Sequence, residues 1–172
     1  MKQLKYFLVA SFLIYASNSF AQLKIAYVDS KAIMDNLPDA QDAKQKLNEL
    51  IKEWQSELNK MQGDYNAKLQ DFQKRKLIMT DQTRNDMQAE LDKMQNDINV
   101  YREKKFGTNG EVFQKQDELM KPVQNKVFNV IQDIAKEEDY DYVLDKSGDV
   151  MILFAKDKYD ITQTVLDRLK LK

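Results

Sequence analysis

The 172-residue sequence contains no cysteine and no histidine. The first absence excludes disulfides and thiolate chemistry, and the two together leave transition metals and the usual nucleophile–base pairs without their ordinary side chains. Charge of one sign is not in excess either: 27 Lys and Arg stand against 28 Asp and Glu, so the basic footprint of a nucleic-acid binder is missing. No glycine-rich phosphate loop occurs, and no apolar run is long enough to span a bilayer. Carboxylates could act as acid and base, but no pattern builds a pocket to shift their pKa values. The cluster Glu137, Glu138, Asp139, Asp141 and Asp145 lacks the spacing and central glycine of a calcium loop and reads as a solvated helix end and strand face. The chain is read as a non-enzyme, with no catalytic, metal or cofactor-binding residue and no nucleic-acid partner.

What is present begins with a leader. Lys2 and Lys5 precede the apolar run Tyr6–Tyr15, and Ser19-Phe20-Ala21 puts small residues at the −3 and −1 positions. This is the pattern of a secretory signal cleaved after Ala21. Without the two leader lysines, 25 basic residues face 28 acidic ones, a net charge near −3.

Two apolar stripes dominate the rest. The outbound stripe is Leu47, Ile51, Trp54, Leu58, Met61, Tyr65, Leu69, Phe72 and Met79. The return stripe is Met87, Leu91, Met94, Ile98, Tyr101, Phe106, Phe113, Met120, Val127 and Ile134. Steps of four and three residues keep side chains on one narrow helical seam. The two seams predict an antiparallel coiled-coil hairpin, an arm of roughly 60 Å at about 1.5 Å per residue. Its tip falls near residues 77–81, where Thr80 can cap the return helix. Folding there sets residue n against residue 159 − n, which brings Glu57 to Arg102, Glu53 to Lys105 and Trp54 to Phe106.

Three groups of residues stand out. At the tip, Lys74, Arg75 and Lys76 precede Leu77, Ile78 and Met79; the apolar three either close the hairpin or form a patch that touches a partner chain or a membrane surface. Gly107 and Gly110 interrupt the return seam, and Pro122 removes a helical hydrogen bond further on, so all three are candidate hinge residues. At the base, Leu23–Val28 alternates into a strand, and Tyr140–Leu144 with Val150–Phe154 predicts a β-hairpin. Ile25, Tyr27, Tyr142, Leu144, Met151 and Leu153 are then the candidate body and oligomer strands. Asp160 or Thr162 caps a final amphipathic helix. The fold class is therefore α+β, mostly α: a long helical hairpin, residues 39–122, inserted in a small β-rich body of residues 22–38 and 123–172. An arm buries little core, so oligomerisation is the expected source of stability.

Four segments carry a resemblance to the Skp/OmpH family of periplasmic chaperones: KIAYVDSKAIMDNLP (Lys24–Pro38), MTDQTR (Met79–Arg84), LMKPVQNKVFNVIQDIAKEEDYDYVLDKS (Leu119–Ser147) and DITQTVLDRL (Asp160–Leu169). In order and spacing they cover nearly the whole mature chain. The resemblance implies a periplasmic homotrimer with a β-barrel body built from strands of all three chains. Its arms would surround a cavity that holds unfolded outer-membrane proteins without ATP. The sequence departs from the strongly basic members of that family in being mildly acidic, with Glu49, Glu53 and Glu57 low on the arm and basic residues near the tip. A coiled-coil spacer that docks one folded envelope partner is the alternative reading, and a secreted hydrolase a weaker third.

Overall fold

The computed structural model describes residues 23–148 and 151–171; the leader Met1–Ala21 lies outside them. The element order is β1 (Ile25–Val28), α1 (Ser30–Asn36), α2 (Pro38–Arg75), α3 (Asp81–Phe106), α4 (Glu111–Glu137), β2 (Tyr142–Asp145), a short 3-10 turn (Asp157–Tyr159) and α5 (Thr162–Lys170). The strands pair in parallel, Ile25 against Tyr142 through Val28 against Asp145. Parallel neighbours need a crossover connection. Here that connection is the whole helical hairpin, so base and arm are one topological unit.

Local chemistry explains the boundaries. Asp29 caps α1 by accepting from Ala32 N–H at 2.8 Å. Leu37 is extended, as a residue before proline should be, and Pro38 opens α2 where its missing N–H costs nothing. Asp39 stands in the first turn of α2 rather than capping it. Thr80 caps α3, its Oγ1 accepting from Thr83 N–H at 3.2 Å. Asp139 adopts a left-handed φ of 54°, which an aspartate tolerates better than most residues, and Tyr140 N–H then closes on Ala135 O at 2.9 Å to end α4.

The main core sits at the base. Ala26 and Val28 of β1, Ile33 of α1, Val127, Val130 and Ile134 of α4, and Val165, Leu166 and Leu169 of α5 pack together. Ala40 and Ala43 join them, so the first two turns of α2 pack into the base. Lys126 Nζ bonds Asp39 Oδ2 at 2.8 Å and ties α4 to the root of α2.

Beyond that root, α2 runs unbroken for 38 residues, about 57 Å. Gly63 does not interrupt it and has open space around its Cα. The arm seam buries Trp54, Leu58 and Phe72 from α2 against Leu91 and Ile98 from α3. Two contacts fix the register: Lys68 pairs with Glu90, and Lys105 Nζ lies 4.3 Å from the Trp54 ring centroid. Their residue numbers sum to 158 and 159, as the fold-back about the tip requires. The two charge matches are not made; Arg102 donates to Asn99 Oδ1 at 3.3 Å and Lys105 turns to Glu111.

Three expectations need correction. Pro122, expected to bend or restart the helix where arm meets base, does not restart it: α4 continues through it, with Pro122 on the solvent side and Val123 holding the buried stripe. The predicted hairpin between Tyr140–Leu144 and Val150–Phe154 is not formed; Val150 is outside the described residues, and Met151–Lys156 has no strand partner. Met151 and Leu153 are thus exposed rather than paired, because a strand apolar on both faces finds no sheet to enter within one chain. Phe113 is not a seam residue and stands 60% exposed.

Candidate interaction surfaces

At the tip, Lys76 follows the last residue of α2 and its N–H donates to Phe72 O, and Ile78 N–H donates to Arg75 O at 3.0 Å. This tight turn splits the apolar triplet. Met79 is half-buried, whereas Leu77 and Ile78 are 90% and 84% exposed. Arg75 is engaged by Asp71 at 3.1 Å, and Arg84 by Asp81. Lys74 and Lys76 are exposed and form no ion pair among the described residues. The end of the arm is thus two bare aliphatic side chains beside two uncompensated ammonium groups.

At the base, the two-stranded sheet has unlike faces. Ala26, Val28 and Val143 point into the helical core. Leu23, Ile25, Tyr142 and Leu144 point the other way, and no helix covers them. Together with Ile152, Phe154 and Tyr159, residues of that second face line a cleft of about 770 Å³. Tyr27 is the exception on this face: it is buried, and burial first, then the Asp160 and Asp157 carboxylates, push its phenol pKa up. Its backbone bridges to Asp160 on the free side of β1, and Ile161 N–H donates to Tyr27 O at 2.9 Å. Two strands alone are marginal in water, and an uncovered apolar sheet face of this kind marks a surface that associates.

One hub at this end escapes a sequence reading. Asp145 Oδ1 accepts from Ser30 N–H at 3.1 Å, Ser147 N–H at 3.0 Å and Ser147 Oγ at 2.8 Å, and its Oδ2 accepts from Ser30 Oγ at 2.5 Å. Burial pushes this carboxyl up, but the bonds from Ser30 and Ser147 outweigh it and hold the pKa below the ordinary range. Asp145 had looked like a member of a solvated acidic cluster; it instead pins the end of β2 to the start of α1. The other members of that cluster are exposed, and two of them are hydrogen-bonded through their side chains. Asp141 accepts from Lys24 N–H at 2.6 Å, and Glu137 bonds Arg168 at 2.5 Å.

At the elbow, Gly107 N–H donates to Glu103 O at 2.9 Å and Gly110 N–H to Gly107 O at 2.8 Å. Both glycines have negative φ, so neither is needed for a left-handed turn. They are needed for space: a Cβ on Gly110 would lie 2.8 Å from Lys105 O, and one on Gly107 would collide with Glu103. The break in the return leg is a close-packed turn, and it faces an α2 that is continuous.

The arrangement matches a known family. The model of the family described as outer membrane protein (OmpH-like) matches residues 24–169, from the start of β1 to the end of α5. The chain belongs to the OmpH-like family. It is 30% identical over 152 residues to "Chaperone protein Skp" of Pectobacterium atrosepticum, covering 86% of each chain. It is likewise 30% identical over 162 residues to the Yersinia enterocolitica protein of that name, covering 90% of this chain and 91% of that one. The solved structure of an OmpH-like protein from Caulobacter crescentus superposes with a TM-score of 0.74 over 87% of this chain and 85% of its own. At 15% identity that likeness shows a shared fold, a long helical hairpin on a small base.

Proposed function

We propose that this chain is an exported chaperone that holds unfolded outer-membrane proteins in the periplasm without ATP. The observation that carries the reading is the form itself: about half the chain is committed to an arm whose seam occupies one stripe, in a family whose similar members are named chaperones. An arm of this kind offers a long two-helix surface for many weak contacts, and no contact needs chemistry. The uncovered face of the sheet supports a homo-oligomer, a trimer by family resemblance, in which Met151–Phe154 finds its partner strand in the assembled body. The leader pattern supports export. The exposed Leu77 and Ile78 beside Lys74 and Lys76 support brief contact of the tips with an anionic membrane surface.

Light scattering tests the central reading. An unfolded β-barrel membrane protein is diluted from urea with and without the mature chain, Gln22 onward. Suppressed aggregation near one oligomer per client supports the holdase. Aggregation that proceeds unchanged at every ratio replaces it with the spacer, which would bind a folded partner and ignore unfolded chains. Light scattering coupled to size-exclusion chromatography reads the oligomer, with three copies expected and a monomer contradicting it.

A further inference from the structure

The elbow contains a cation that touches three helices. Lys105, in the last turn of α3, has a side chain only 15% exposed. Its Nζ sits 4.3 Å from the Trp54 ring centroid on α2 and 5.8 Å from that of Tyr101 on α3. The same Nζ donates to Oε2 of Glu111, the first residue of α4, across the four-residue break. Lys104 Nζ reaches the other oxygen, Oε1, at 3.5 Å. Glu53 and Glu57 of α2 bear on the Tyr101 phenol from the facing helix.

We propose that Lys105 is a latch, holding the end of α3 and the start of α4 together against Trp54 of α2. The break at residues 107–110 makes α3 and α4 separate rods that meet one continuous partner. The seam holds α3 along α2 and the shared core holds α4 at the root of α2, but neither contact spans the break. The Lys105 ammonium does, by an ion pair to one rod and a ring-face contact to the partner. At this depth the pair is less exposed than an ordinary surface bridge and is correspondingly less screened. When it is released, α3 slides or splays from α2 while α4 keeps its grip on the base. The latch concerns the arm itself and does not depend on what the arm holds.

The sequence supplies convenient probes. Trp54 is the only tryptophan, so its emission reports the latch, and the absence of cysteine lets spin labels be placed only where wanted. Labels at Gln55→Cys on α2 and Gln95→Cys on α3, diluted with unlabelled chain, give the distance distribution between the two legs of the arm. The expected result is one narrow distribution for the unmodified protein and for Lys105→Arg. Lys105→Met and Glu111→Gln should each broaden it, and the double variant should broaden it no further than either alone. Lys105→Met should also red-shift Trp54 emission. Should Lys105→Met lose helix content by circular dichroism, the isosteric Glu111→Gln reads the same bond. A distribution left narrow by Glu111→Gln overturns the latch, as does additive broadening in the double variant.

Discussion

The base and the arm solve the same problem, burying helix surface, at very different depths. The base closes a core from five elements, and its members, Ile33, Val130, Ile134 and Val165, lie within about one per cent of complete burial. The arm closes a single seam between two helices, and only Leu91 and Ile98 approach that depth, while Met61, Tyr65, Leu69, Met87 and Met94 remain half-buried. A seam two helices wide cannot enclose its residues from all sides. The base is therefore built to persist and the arm to adapt, and the proposed holdase would use both: a fixed body that sets geometry and limbs whose packing yields.

Removing base core breaks the comparison most severely. Ile134→Ala should cost about 2–5 kcal/mol and lower the cooperative unfolding midpoint of the whole chain in urea. Leu91→Ala removes a similar side chain from the arm. Its cost should appear as faster amide exchange confined to α3 and the facing part of α2, with α5 unchanged. Gly110→Ala should cost about 1–3 kcal/mol by crowding Lys105 O, measured by thermal melting, and the loss should again be local to the arm. Acid sharpens the contrast from the other side. Asp145 has a folded pKa below its unfolded value, so its contribution is present above the unfolded pKa and fades as pH falls through the folded one. Thermal melts of Asp145→Asn should thus be less stable than the parent at neutral pH and converge with it at strongly acidic pH. The smallest effect belongs to the tip: Leu77→Ser with Ile78→Ser should change stability by less than about 0.5 kcal/mol, because these side chains bury nothing within the chain.

Much of the arm was legible in the sequence because a heptad is a local signal. The outbound stripe from Leu47 to Phe72 and the return stripe from Met87 to Phe106 are all buried or half-buried, and the tip cap at Thr80 is where its side chain predicts. Phe113 failed for a geometric reason. It was joined to Met120, Val127 and Ile134 by steps of seven, and a straight helix drifts about 20° per heptad. Three heptads back from Ile134, that drift turns Phe113 away from the seam. The base was harder, because its contacts are long-range. The alternation around Tyr142 and Leu144 announced a strand, and strand-forming ends on both sides of the arm announced one sheet at the base, but not that this strand would pair with Ile25–Val28 in parallel, more than a hundred residues away. Nor could spacing show that Asp145 would meet Ser30, or that Lys105, matched to Glu53 across the hairpin, would choose Glu111 across the break. Met151–Phe154 reads as a strand, yet it has no strand partner among the described residues.

The measurement that bears most directly on the division between base and arm is amide hydrogen exchange, read with and without an unfolded β-barrel client. The account predicts that the core segments of α4 and α5 exchange slowly in both states. The helices α2 and α3 beyond Ala43 should exchange faster alone and gain protection when a client is held. Protection gained in the base core instead, or an arm whose exchange is indifferent to a bound client, would contradict it.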